Sequence, residues 1–170
     1  MNDRVVALAE TEFQALYGLH DDELARRGVR TVIASNGSAF PCRVSLRDAN
    51  VGARMLLLNY EHQAADSPYR SAHAIYVQDG AVRAAVAIHT VPDVLRTRLL
   101  SIRAFDSDGM IVEADVVEGV VAASVFERLL LNDKTAYLHV HNAIALAIRA
   151  DILPVGWAPS VARRFFSKFR

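Results

Sequence analysis

The sequence predicts an α+β fold, with one antiparallel or mixed β-sheet and helices packed against it. Three observations lead there. Segments with a two-residue apolar period follow one another through short turn signals. The strongest helical periodicity, over 119–131, stands apart from them. Strand and helix do not alternate regularly, as a doubly wound parallel sheet would require.

The first third reads helical. Thr11 and Gln14 are spaced as a capping box, with Phe13, Leu16 and Tyr17 on one face. Asp21 and Asp22 open a second short helix that Gly28 closes. The period then falls to two. Residues 29–35 and 42–46 read as strands around the turn Asn36-Gly37-Ser38, and 55–60 is apolar on both faces, as a central strand is. Ser67-Pro68 marks a loop, and 74–78 and 82–88 are further strands around Asp79-Gly80. Pro92 suits the first turn of a helix carrying Leu95 and Leu99 inward. Residues 100–105 and 110–117 form a hairpin through Ser107-Asp108-Gly109. Val121, Val125 and Leu129 line the helix 119–131, and 136–141 is a strand that 143–148 extends or follows.

Composition narrows the class. An apolar fraction of 52% against 22% charged residues suits one compact domain, taken as 1–158, with a tail over 159–170. In that tail Val161, Phe165, Phe166 and Phe169 alternate with Arg163, Arg164, Lys168 and Arg170. The pattern is that of a basic amphipathic helix that docks on its own domain, a protein partner or an anionic membrane. The 19 basic and 19 acidic residues cancel, which argues against a nucleic-acid partner. No long uncharged apolar run predicts a transmembrane segment, and Met1 to Arg4 lacks a signal-peptide core. The single cysteine, Cys42, excludes an intrachain disulfide and fits a cytoplasmic location.

Polar clusters interrupt the apolar strands. On 136–141, Tyr137, His139 and His141 share one face. Two imidazoles so placed either hydrogen-bond locally, exchange protons with a ligand, or hold a metal once a third ligand arrives from elsewhere. The metal is the least favoured of these. After Leu58 comes Asn59-Tyr60-Glu61-His62, in which Glu61 either orients a histidine or closes a turn. Cys42 beside Arg43 is a candidate nucleophile or a small buried hydrophobe. Tyr69-Arg70 offers an aromatic face and a guanidinium to an anion, or is a surface turn. The acidic residues Asp106, Asp108, Glu113, Asp115 and Glu118 lack EF-hand spacing and read as a solvated hairpin. Phosphate-loop, serine-elbow, zincin and dithiol signatures are missing.

Several of these motifs, in order, resemble the bacterial proteins grouped as domain of unknown function 1203. They are Pro41-Cys42-Arg43-Val44-Ser45-Leu46, Leu57-Leu58-Asn59-Tyr60-Glu61-His62, Ser67-Pro68-Tyr69-Arg70, Tyr137-Leu138-His139-Val140-His141-Asn142-Ala143 and the hairpin from Arg103 to Asp115. The resemblance covers about residues 10–143. It implies a single-domain bacterial protein and brings no activity with it. Two departures stand out. Where the family tends to Gly-Pro after Ser-Pro-Tyr-Arg, this chain has His73-Ala74-Ile75. Where the family tends to Gly-Cys-Phe after His-Asn-Ala, it has Ile144-Ala145-Leu146. His73 is therefore either a compensating polar group or a loop residue.

The functional expectation is convergence. His62, His139, His141, Glu61 and Cys42 are the candidate catalytic groups. Arg43, Asn59, Tyr60, Tyr69, Arg70 and Asn142 are the candidate ligand-binding groups, around a small anionic molecule. The chemistry expected is histidine acid–base work of a hydrolase or isomerase kind. The alternative is a non-catalytic module that binds a small acid or a protein.

Overall fold

The computed structural model describes residues 3–143 and 150–154. Among these, the class is α+β, but the strands divide between two antiparallel sheets rather than one. Five strands, β1 (Asp3–Val6), β5 (Leu99–Phe105), β6 (Ile111–Glu118), β7 (Tyr137–Asn142) and β8 (Ala150–Pro154), stand in the order β1-β8-β7-β5-β6. Three more, β2 (Arg30–Ile33), β3 (Arg54–Gln63) and β4 (Ser71–Gln78), form a second sheet in chain order. The helices are short: α1 (Asp21–Arg26), α2 (Asp93–Arg96) and α3 (Ala122–Leu130).

Each sheet has its own core. On β5 and β7, alternation sends Leu100, Ile102, Ala104, Leu138 and Val140 to one face, where they pack on Val125, Phe126 and Leu129 of α3. The other face of the same strands is then left to Ser101, Arg103, Tyr137, His139 and His141. In the second sheet Leu56, Leu58, Ile75 and Val77 pack on Phe13, Leu16 and Leu24 from the N-terminal segment. Cys42 belongs to this core as well.

Several local expectations give way to tertiary packing. The capping-box segment forms two single 3-10 turns, Glu10–Glu12 and Gln14–Leu16, instead of a helix. Residues 42–46 make isolated contacts rather than a strand: Cys42 bridges Tyr76, and Arg43 N–H donates to the Tyr76 carbonyl. The stretch 82–88 is irregular, although Ala84 N–H reaches the Val44 carbonyl at 2.8 Å. Leu99 lies on β5, not on the preceding helix. The hairpin β5–β6 and the α3 helix form as expected. Within the hairpin, Glu113 and Asp115 both pair with Arg128 of α3, and Asp106 Oδ1 accepts the backbone N–H groups of Asp108 and Met110. The expected tail helix over 159–170 and the stretch 144–148 lie outside the described residues.

One contact joins the sheets at the hairpin end. The tip of the β5–β6 hairpin meets the loop between β3 and β4, where Ser67 Oγ donates to the Gly109 carbonyl at 3.0 Å. Gly109 has φ +77°, and a Cβ there would come within 2.3 Å of Ala65 Cβ. Gly109→Ala therefore meets both left-handed backbone strain and a collision with the neighbouring loop. We expect a loss of about 2–3 kcal/mol, read by urea unfolding. A loss below about 0.5 kcal/mol would mean the tip does not brace this end.

A histidine cluster between the two sheets

The site begins with an irregularity in β3. Its pairing with β4 runs from Met55↔Gln78 to Glu61↔Ala72 and then jumps to Gln63↔Ser71. One extra residue, His62, is accommodated there. Such a bulge kinks the strand and re-aims side chains, and here two successive residues, His62 and Gln63, are both buried. Gln63 turns toward the other sheet, donating from Nε2 to Tyr137 OH at 2.8 Å. His62 meets His73 of β4, with Nε2 and Nδ1 2.6 Å apart, and lies 3.3 Å from Ser71 Oγ.

From the opposite side β7 presents His139 and His141. The His62 ring centroid is 4.9 Å from that of His141 and 5.5 Å from that of His139, and His73 is 5.3 Å from His141. Four imidazoles from three strands thus share one space. Phe105 closes its flank, stacked on Tyr137 at 5.3 Å and in contact with His139 at 4.7 Å. His62, His139 and His141 are buried, whereas His73 is only partly so. Access is therefore from the His73 side.

Arg103 completes the surroundings. In register it stands directly opposite His139, on the same face as His141. It is partly buried. Burial holds the His73 imidazole below its ordinary value of 6.5, and the Arg103 charge acts in the same direction. Both effects disfavour the charged form of His73.

The other expected site residues fall elsewhere. Cys42 is 0% exposed, its Sγ accepting the N–H groups of Gln78 and Ser45. It sits beside Tyr76, three residues along β4 from His73, about 10 Å at the strand rise. It packs as a small core residue with no path for a substrate. Arg43 is likewise 0% exposed, so it cannot grip a ligand from solvent. Burial pulls its guanidinium down from 12.5 to about 9; Arg98 adds to the fall, while Cys42 and Asp48 oppose it. Glu61 accepts from Arg70 Nε at 2.5 Å on the face of β3 away from Tyr60, so it does not orient a histidine, and Arg70 is already engaged. Asn59 points to solvent. Tyr60 lies opposite His73, and its OH donates to Glu12 Oε2 at 2.8 Å. Tyr69 reaches the rim through Phe105, with centroids 6.5 Å apart. Asn142 shares the side of β7 opposite His141.

Two surface hollows lie away from the cluster. One of about 480 Å³ lies between Gly18–Asp22 and Arg54, where Arg54 is already paired with Asp21 and Asp79. Another, of about 310 Å³, lies between residues 4–7 and 83–86.

Residues 39–146, more than half of the chain, match the protein family described as Protein of unknown function (DUF1203). The chain belongs to this family. The matched stretch carries β3, β4, β5 and β7, and so every histidine of the cluster in this DUF1203 chain. No curated protein and no solved structure matches the chain. Among the described residues, no helix is long and apolar enough to cross a membrane.

His73 and Arg103 are the site residues that sequence reasoning left out. His73 did register as a departure from the family pattern, but its role needed the β3–β4 register. Arg103 shares a two-residue period with Ser101, and only the pairing with β7 sets it beside His139.

Two predictions follow from this geometry. With a neutral His73 in the folded chain, the unfolded state binds more protons as pH falls below about 6.5. Stability is fully present above that pH and declines beneath it. In chelator-treated protein, the melting temperature of His73→Asn should fall less steeply between pH 7 and pH 5 than that of the unmodified chain; equal slopes would contradict it. Arg43→Ala empties a fully buried site and should cost about 2–5 kcal/mol in chemical denaturation, with no dependence on added anions.

Proposed function

We propose that the protein binds a small anionic molecule at the open side of the histidine cluster, against His73, His141 and Arg103, and exchanges a proton with it through His62 and His73. The observation that carries this reading is the 2.6 Å approach of His62 Nε2 to His73 Nδ1, beside the partly buried Arg103, whose charge acts on His73.

A cation held partly out of water without an anion is costly, and a bound carboxylate or phosphate group would offset that cost. Each neutral imidazole donates from one nitrogen and accepts at the other. Two in direct contact can pass a proton between a ligand at His73 and the buried His62. A hydrolase- or isomerase-like reaction on a small acid is the chemistry this supports. His139 and Tyr137 line the wall behind the pair, and Tyr69 stands at the rim. Cys42, Arg43, Glu61, Arg70, Asn59 and Asn142 have no part in it.

The test is binding of inorganic phosphate and of acetate, by calorimetry and thermal shift. One or both should raise the melting temperature in proportion to ln(1 + [L]/Kd). Arg103→Met should weaken that binding by about 1.5–3 kcal/mol, the worth of a charge-assisted hydrogen bond, while leaving unliganded stability nearly unchanged. Binding that is absent, or indifferent to Arg103→Met, would refute the reading.

A further inference from the structure

We infer that His62, His73 and His141 together hold one divalent transition-metal ion, with the anion bound at Arg103 as its remaining ligand. The inference rests on the anion site at Arg103 in the preceding reading, and it replaces the passage of a proton between His62 and His73 with coordination of one ion by both rings.

The geometry points to an ion rather than to a purely hydrogen-bonded trio. One ring nitrogen from each of the three histidines lies within 4.8 Å of the other two. Tetrahedral zinc, with metal–nitrogen bonds of about 2.0–2.1 Å, sets its ligand nitrogens about 3.3–3.4 Å apart. His62 Nε2 and His73 Nδ1 are 2.6 Å apart, and no separation in the trio exceeds 4.8 Å. His139, by contrast, is not one of the three, although the sequence pairs it with His141 on a strand face; their centroids are 6.2 Å apart.

The chemistry of the donors agrees. Three imidazoles select zinc, copper, nickel, cobalt or iron(II) over magnesium or calcium, which want oxygen. The ligands come from β3, β4 and β7, on two separate sheets, so the ion would also tie the sheets together. The N–H between His62 and His73 would move to the other nitrogen of its own ring. That is a change of tautomer, with no proton released. Three neutral ligands leave the ion's double positive charge uncompensated, and Arg103 adds another. An anion between ion and guanidinium relieves both, which leaves the fourth position for a small carboxylate or phosphate and gives the arrangement of an open, catalytic-type centre rather than a closed structural one.

The experiment uses the full-length chain without a histidine tag, stripped with chelator and titrated with Zn²⁺ by calorimetry, with Co²⁺ absorption as a second readout. Expected are one equivalent of zinc, a tetrahedral cobalt spectrum, and tighter zinc binding in the presence of phosphate or acetate. His73→Asn and His141→Ala should each lower zinc affinity by more than the roughly 10- to 100-fold that loss of an outer partner costs. His20→Ala and His89→Ala should leave it unchanged. His73 is only partly buried, so its variant stays folded, and circular dichroism checks this. Zinc binding that survives both His73→Asn and His141→Ala would be adventitious and would overturn the inference. Anion binding that depends on Arg103 in protein that takes up no zinc would overturn the metal centre and leave the anion site standing. Loss of both would remove both.

Discussion

The end of β3 pressed against the polar face of β7 is the constraint on which the rest of this molecule depends. A sheet with α3 on one face has five strands' worth of side chains on the other, and those must meet something. Here the second sheet meets them, through a strand that bulges at His62 and sends Gln63 across to Tyr137. The bulge keeps His62 pointed inward beside Gln63, where strict alternation would have turned one of them outward. Buried polar side chains need partners, and a pair of sheets each presenting them satisfies both at once. The apolar cores then need only hold the two halves at that distance.

Charge is arranged to the same end. Zero net charge conceals several arginines that carboxylates already engage. Arg54 joins Asp21 and Asp79, Arg70 joins Glu61, Arg98 joins Asp48, and Arg128 spans Glu113 and Asp115. Arg98, the most buried of these, also donates to the Ser38 and Val94 carbonyls and so ties the loop before Cys42 to α2. Exposed pairs of this kind contribute little each, but they remove cations from competition for a ligand. Arg103, partly buried, stands opposite His139 on the face that carries His141.

Family membership and geometry support each other without either supplying an activity. The region matched by the family contains the cluster and the bulge that creates it. His73 of β4 sets its imidazole against His62 of β3 and His141 of β7.

Much of the fold could be read from the residues. Alternation located β2, β4, β5, β6 and β7, because side chains on a pleated strand must sort by face whatever lies around them, and a run apolar on both faces located β3. The 3.6-residue period located α3 for the same kind of reason. Alternation also put His139 and His141 on one face with Tyr137. What it could not supply was partnership. Residues 82–88 carry strand-like composition yet run irregularly, since a strand exists only where a neighbour accepts its hydrogen bonds. Cys42 and Arg43 look like a reactive pair, but packing beneath Tyr76 buries both. The sequence by itself determined the class, most strands and the polar face of β7, because these follow from local periodicity. Only the tertiary structure decided that the strands form two sheets, that a bulge aims His62 at His73, and that Arg103 stands beside His139. Those depend on register between segments distant in the chain, and register is set by the packing of whole faces, not by any short stretch of residues.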